Sequence, residues 1–132
     1  MKKLFKKLAV LPLFFGLLLT SACSSDPTFI DVRVTTAGSN PTPRAGVAVH
    51  LFMENHGPGT AFFRPIHSRR SVITGSDGVA SFELEEFELA FSGNQTTFHF
   101  GVFGGSSSSP TILGTGSITV REGDRREVVI RY

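Results

Sequence analysis

Cys23 is the only cysteine of the 132-residue chain, so no intrachain disulfide can form. A lone cysteine is often a small buried hydrophobic residue. This one follows a long apolar run and precedes the polar stretch 24–28, where no core can form. Its position therefore favours covalent chemistry at the sulfur, which acts as a nucleophile.

Two histidines, His50 and His99, lie inside predicted strands on the face opposite the main apolar set. They approach each other if their strands are neighbours. Two imidazoles are too few for a zinc site, which needs three or four ligands. The sequence therefore predicts solvent-facing or hydrogen-bonded histidines and no metal.

The other two histidines, His56 and His67, bracket a segment that also contains Phe62 and Phe63. A loop that carries two aromatic rings and polar groups is a candidate ligand surface. The alternative is that Phe62 and Phe63 fill the core from a short strand over residues 61–64, and this is the more frequent fate of isolated aromatic residues.

The remaining reactive side chains indicate no catalytic residue. Four glutamates, Glu83, Glu85, Glu86 and Glu88, offer oxygen ligands for Ca²⁺, but the regular spacing of a calcium loop is missing, so a solvated acidic face is favoured. The serine run 106–109 has no partnered base, and the chain has no Gly-x-Ser-x-Gly elbow.

The N-terminus has the organisation of a secretory signal. Four lysines at positions 2, 3, 6 and 7 precede the apolar run 8–19 and the small residues 20–22. A membrane-spanning helix needs about twenty apolar residues, and this run is shorter and contains Pro12 and Gly16. Cleavage is therefore favoured over a permanent span.

With Cys23 at its exit, the leader resembles a bacterial lipoprotein signal. The resemblance implies cleavage between Ala22 and Cys23 and lipidation of Cys23, which becomes the first residue of the mature chain. It also implies two or three acyl chains such as palmitate, enough for a stable anchor. Ser24 follows the cysteine instead of the Asp that favours retention in the inner membrane, so the outer membrane is expected.

Composition changes sharply once the leader is removed. All four lysines lie in the leader, so nine arginines remain against eleven acids and the side-chain charge falls to −2. This balance indicates no basic nucleic-acid surface, so no nucleic-acid partner is expected. The mature chain has the size of one domain and can bury a core without disulfides.

Period-two alternation of apolar residues predicts the elements that position these side chains. Strands are predicted near residues 29–35, 47–52, 71–74, 80–85, 98–103, 112–120 and 128–132, with a short helix or irregular crossover at 86–91. Turn signals separate them, including Asp77-Gly78 and the stretches 92–94 and 122–124. The sequence therefore predicts an all-β, largely antiparallel sandwich of about seven strands.

Two stretches carry a second resemblance: 43–51 (PRAGVAVHL) and 74–82 (TGSDGVASF). Together they resemble the transthyretin-like or prealbumin-like β-sandwich, which includes carboxypeptidase regulatory-like modules and is Ig-like in architecture. The hydroxyisourate hydrolases of that superfamily have an N-terminal histidine motif and a Tyr-Arg-Gly-Ser end, and this sequence has neither. The resemblance therefore implies a fold and no enzymatic activity.

Three regions are expected: a signal peptide at 1–22, a lipidated tether at 23–28 and a β-sandwich at 29–132. The sequence predicts a lipid-anchored cell-envelope protein with a non-catalytic binding or structural domain and no cofactor. Its expected partners are the membrane, through the N-terminal lipid, and an envelope protein or glycan. The alternatives are a surface carbohydrate-binding module and, less favoured, a transthyretin-like hydrolase.

Overall fold

Seven strands make up most of the chain that the computed structural model describes, namely residues 27–89 and 95–132. They are β1 (Thr28–Thr35), β2 (Ala48–Phe52), β3 (Arg70–Ile73), β4 (Val79–Leu84), β5 (Thr96–Gly105), β6 (Pro110–Val120) and β7 (Arg125–Arg131). One short helix, α1 (Glu86–Leu89), and two 3₁₀ turns, Glu54–His56 and Pro65–His67, lie between them. The predicted leader, its cleavage after Ala22, Cys23 and the turn at 92–94 fall outside the described residues.

The strands form two sheets that enclose one core. A three-stranded sheet has the order β4-β1-β7, and a four-stranded sheet has the order β3-β2-β5-β6. Alternate residues of the strands face the other sheet. Many are fully or almost fully buried, including Ile30, Val32, Val49, Leu51, Phe82, Phe98, Phe100 and Ile130, whereas those of β3 are partly buried. The predicted sandwich of about seven strands is therefore confirmed.

Strand direction departs from a purely antiparallel arrangement at one pair. β1 and β7 pair in parallel, from Phe29 opposite Arg125 to Thr35 opposite Arg131, whereas the other four strand pairs are antiparallel. The reason is that β6 belongs to the other sheet and ends beside the start of β1. The short turn at 121–124 therefore sends β7 back in the direction of β1, and residue alternation contains no information on this direction.

The short strand expected over residues 61–64 is wrong. Residues 61–64 form turns and not a strand. Their backbone does not pair with a sheet, because the Phe63 ring packs on Phe52 at the outer face of the four-stranded sheet. β6 runs unbroken through Gly114 and Gly116, and its only irregularity is a register shift opposite Val102 and Phe103. The helical interpretation of the start of 86–91 agrees with α1, but Phe91 is not among the described residues.

The two glycines of β6 allow the sheets to approach at one edge of the sandwich. A Cβ at Gly114 would lie 2.5 Å from Ile130 Cγ2, and a Cβ at Gly116 would lie 2.9 Å from Val128 Cγ2. Val128 and Ile130 belong to β7, the edge strand of the opposite sheet. The absence of side chains on β6 therefore lets β7 pack directly against it.

The stretches 43–51 and 74–82 contact each other at one end of the sandwich. Thr74 is buried, and its Oγ1 donates to the Arg44 carbonyl (2.6 Å) and accepts from the Val47 N–H (2.9 Å). Gly78 has a φ of 75°, and its Cα lies so close to the Val34 carbonyl and Pro43 that a Cβ would clash with both. The turn chemistry predicted at Asp77-Gly78 therefore also fixes how these loops pack.

Candidate functional site

Residues 53–69, here the covering segment, lie across the outer face of the four-stranded sheet. Beneath them, three phenylalanine rings form a cluster outside the main core. Phe63 of the segment packs on Phe52 of β2 (ring centroids 4.6 Å apart) and on Phe103 of β5 (5.3 Å). Phe52 is fully buried although it points away from the other sheet. The segment therefore gives this sheet a second, smaller apolar core.

Two glycines bring the covering segment close to the sheet. A Cβ at Gly101 of β5 would lie 2.8 Å from Phe63 Cζ and from Phe103 Cε2, so the missing side chain makes room for both rings. Gly57 of the segment sits over the imidazole of His99, where a Cβ would be 2.7 Å from Nε2. Larger residues at either position would lift the segment from the sheet.

Three of the predicted loop residues meet on the outer surface of this segment. The ring centroid of Phe62 is 4.8 Å from that of His56 and 5.5 Å from that of His67, which meets it edge-on. Phe62 is 49% exposed. We call His56, Phe62 and His67 the Phe62 cluster. Phe63, predicted with them, lies beneath the surface, so the structure divides the two adjacent rings between a displayed and a packed role.

His56 is held in place by its neighbour. Asn55 Oδ1 accepts a hydrogen bond of 2.6 Å from His56 Nδ1–H, which leaves Nε2 as the free acceptor of the ring. The backbone N–H of His67 donates to the Arg64 carbonyl (2.9 Å). The cluster therefore consists of fixed rings on a folded segment and offers an apolar surface with imidazole edges.

His50 and His99 lie on the same outer face, on neighbouring strands, but each has its own partner. Ser68 Oγ donates to the Pro65 carbonyl (2.7 Å), so its only proton is used and His50 Nδ1–H must donate to Ser68 Oγ (3.1 Å). His50 is half-buried, and burial lowers its pKa. This imidazole therefore serves as a donor that fastens the end of the covering segment.

His99 fastens the start of the same segment. Its Nε2–H donates to the Glu54 carbonyl (3.2 Å), which is an acceptor only. In the neutral ring Nδ1 is then an acceptor, and it receives the hydroxyl proton of Ser117 at 2.7 Å. The predicted hydrogen-bonded strand histidines thus bind the segment at both ends.

The acidic cluster does not form one solvated face. Glu88 is 1% exposed in its side chain and binds Arg69 (3.3 Å) and Arg70 (3.1 Å). Its Oε1 also accepts from the Glu85 N–H (2.9 Å), the reach-back of a helix-capping glutamate. The expectation of a fully solvated acidic surface is therefore wrong at Glu88, whereas Glu83 and Glu85 are exposed as predicted.

Sequence reasoning missed three apolar residues on the same side of the molecule. Ile66 of the covering segment is 83% exposed. Ile73 pairs with Ala48, and Ile112 pairs with Phe103. Directly opposed residues of an antiparallel pair share a face, so both isoleucines are on the outer side of the four-stranded sheet. Strand register is the signal that reveals them, and it is not readable from alternation alone.

The outer face of the three-stranded sheet has the opposite character. Asp31 binds Arg125 (3.0 Å) and accepts from the Ser81 hydroxyl (2.6 Å). Arg33 pairs with Glu127 (3.2 Å), whose hydrogen bond and charge raise the pKa of Arg33. This face is therefore a polar surface of paired charges.

Within residues 27–89 and 95–132, no three histidine, cysteine or acidic side chains are grouped in a way that would hold a metal ion. None of the helices in those ranges has the length and apolarity needed to cross a bilayer.

Comparison with known proteins finds one distant structural likeness. No protein-family model matches the chain, and no curated protein matches it. Among solved structures, the chain is similar to a DUF3823 family protein from Parabacteroides merdae ATCC 43184, with 22% identity and a TM-score of 0.44. The match covers 82% of this chain and 46% of that one, so the chain spans about half the length of that protein.

Proposed function

We propose that the chain is a lipid-anchored protein of the bacterial cell envelope, in the outer membrane, and that its sandwich acts by contact and not by catalysis. The observation that carries this proposal is the position of Cys23. It ends a basic, apolar and small-residue leader, and β1 begins at Thr28 only five residues later. An acylated Cys23 would therefore hold the folded body next to a bilayer.

A transthyretin-like classification of the sandwich is part of this proposal. It is supported by the direct contact between the stretches 43–51 and 74–82, which carry the sequence resemblance. The buried Thr74 hydroxyl bridges Arg44 and Val47, and Gly78 packs on Pro43. A tight turn that closes on a loop before a core strand is the arrangement that the resemblance implies.

The proposed contact surface is the Phe62 cluster. Its rings are displayed on a segment that is fastened at both ends by His50 and His99, so the surface is presented in a fixed geometry. Binding surfaces held on a rigid scaffold lose less conformational entropy when they bind. This geometry suits contact with another component of the envelope.

The anchor is tested by metabolic labelling with radioactive palmitate and by treatment with globomycin, which blocks the lipoprotein signal peptidase. We expect the wild-type chain to be labelled and its precursor to accumulate with globomycin. Cys23→Ser removes the sulfur and should abolish the label. Wild-type protein that is unlabelled, globomycin-insensitive and freely soluble would refute the proposed anchor.

The carbohydrate-binding alternative has less support. It predicts a row of exposed Phe rings or Tyr132, but among residues 27–85 and 95–132 Phe62 is the one aromatic residue that is strongly exposed. The ring of Tyr132 is covered by the Arg44 guanidinium at 4.0 Å. A single displayed ring offers little of the stacking surface that such modules use.

The hydrolase alternative would use His50, His99 or the covering segment, and both strand histidines are hydrogen-bonded to a serine. His50 does not accept the Ser68 proton, because Ser68 Oγ donates to the Pro65 carbonyl and accepts from His50 Nδ1–H. His99 and Ser117 have the required direction, so a fluorophosphonate probe tests this pair directly. Labelling of Ser117 that His99→Ala abolishes would contradict the non-catalytic proposal.

A further inference from the structure

Exposed apolar side chains are concentrated on one side of the sandwich. Phe62 (49% exposed), Ile66 (83%), Ile73 (66%) and Ile112 (51%) lie on the outer side of the four-stranded sheet or on the segment that covers it. Leu113 lies at the rim, at the bulge of β6. Val129, which is 40% exposed, is on the opposite face. We call the four residues of the first group the apolar side.

Charge has the reverse distribution. The opposite face carries the ion pairs Asp31–Arg125 and Arg33–Glu127. The covering segment contains a single acid, Glu54, and two arginines, Arg64 and Arg69, of which Arg69 is paired with Glu88. The imidazoles of His56 and His67 contact the exposed Phe62 ring. The molecule therefore has one face suited to water and one with exposed apolar residues and few charges.

We propose that the apolar side rests on the surface of the lipid bilayer, with Phe62 and Ile66 inserted among the headgroups. This inference rests on the proposed anchor at Cys23 and names the partner of the Phe62 cluster. Large apolar side chains displayed on one face are typical of surfaces that bind in the membrane interface. Acyl chains at Cys23 and the apolar side would be two independent attachments.

The length of the tether permits this orientation. Thr28 lies five positions after Cys23, and this length of chain spans at most about 17 Å. β1 is in the three-stranded sheet, and packed sheets are about 10 Å apart. The tether is therefore longer than the spacing between the sheets, and it is short enough to keep the folded body close to the bilayer.

Proximity also favours lipid over a protein or glycan at this surface. A tethered surface meets the bilayer at a high effective concentration, so even weak insertion is populated. A glycan would need several free hydrogen-bonding groups around Phe62, and His56 Nδ1 is already used by Asn55. The observations therefore point to the lipid surface as the occupant.

The chain contains no tryptophan, so a single introduced tryptophan reports on one position alone. The test variants are Phe62→Trp, Ile73→Trp and Ile112→Trp on the apolar side. The matched control is Val129→Trp on the opposite face, where the wild-type residue is 40% exposed. Each mature, lipidated protein is reconstituted on vesicles of phosphatidylethanolamine and phosphatidylglycerol with and without brominated acyl chains.

We expect brominated lipid to quench most of the emission from Trp at position 62, with a shift to shorter wavelength, and to leave position 129 unchanged. Weaker quenching is expected at 73 and 112, which lie further from the covering segment. Three positions keep the test valid if one variant fails to fold.

Other outcomes overturn the inference in distinguishable ways. Protein that does not float with the vesicles refutes the anchor and with it this orientation. Protein that floats, with position 62 as accessible to aqueous acrylamide as position 129, refutes the orientation alone. Protection of position 62 from acrylamide without quenching by brominated lipid would assign the surface to a protein or glycan instead.

Discussion

His50 shows how the environment of one imidazole makes the stability of the fold depend on pH. Burial lowers the pKa of His50 below its usual value of about 6.5. Below that pH the unfolded chain therefore binds more protons than the folded chain, and the unfolding free energy decreases as pH falls. The decrease ends once the pH is below the pKa of the folded state. Acid should therefore weaken the attachment of the covering segment.

We predict that the wild-type protein loses stability as the pH falls through and below about 6.5, the usual pKa of histidine, and that His50→Asn loses less. Asparagine cannot titrate in this range, but its amide nitrogen can still donate to Ser68 Oγ in place of Nδ1. Urea denaturation at a series of pH values measures the difference. His67→Asn removes an exposed imidazole and is the control. An identical pH dependence in the wild type and His50→Asn would contradict this account.

At the scale of elements, Glu88 joins α1 to β3 and so connects the edges of the two sheets. Its carboxylate is almost completely buried and binds two arginines, and Arg70 also donates to the Glu83 carbonyl. Removal of one partner from a buried ion pair leaves the other charge without compensation. The arginines are partly exposed, so water screens part of this cost.

We therefore predict that Glu88→Gln lowers the unfolding free energy by about 1–3 kcal/mol, below the range for fully buried pairs. Glutamine keeps an oxygen that can accept from the Glu85 N–H, so the change mainly removes charge. Glu83→Gln is the matched control, because Arg70 uses the main chain of Glu83 and not its side chain. Equal urea midpoints for the two variants would show that the ion pairs contribute nothing measurable.

How far the sequence predicted these elements depends on the kind of contact involved. Alternation predicted the seven strands because each buries one face, and Asp77-Gly78 predicted its turn because that turn needs a positive φ. The burial of Glu88 was not predicted, because Arg69 and Arg70 are distant in sequence and meet it only after β3 and β4 are in place. The parallel direction of β7 was not predicted either, because its pairing with β1 joins residues that are distant in sequence.

The candidate site was predicted in the same uneven way. The spacing of His56, Phe62 and His67 made a shared loop surface a candidate, but the sequence favoured Phe62 as a core residue, and the structure displays its ring. That segment is not a strand, because Phe63 fills the space above Gly101. Ile73 and Ile112 join the same side only through pairing with Ala48 and Phe103, so their contribution required the register of the sheet.

At the scale of the whole molecule, contacts between the two sheets close both edges of the sandwich. One edge is closed by Glu88 with its arginines, and the other by the contact of β6 with β7. At the second edge Ile130 is 1% exposed and lies against Gly114, where no side chain intervenes. This contact holds β7, the edge strand of the three-stranded sheet, against β6, the edge strand of the four-stranded sheet.

Gly114→Ala tests this closure. The new Cβ would lie 2.5 Å from Ile130 Cγ2, so Ile130 must move and β7 must shift with it. Overpacking of a tight contact costs about 1–3 kcal/mol, and we expect a loss of unfolding free energy in that range by urea denaturation. Thr115→Ala, at the exposed residue between the two glycines, should cost less than about 0.5 kcal/mol.

A double-mutant cycle shows whether the stability lost in Gly114→Ala comes from the steric contact with Ile130 or from alanine being unfavourable in β6 for another reason. Ile130→Ala removes Cγ2 and creates a cavity, so it is destabilising alone. In the pair Gly114→Ala with Ile130→Ala the clash is gone, and the combined loss should be smaller than the sum of the single losses. Strict additivity would show that Gly114 is not required for the approach of β7, and the closure of this edge would then need another cause.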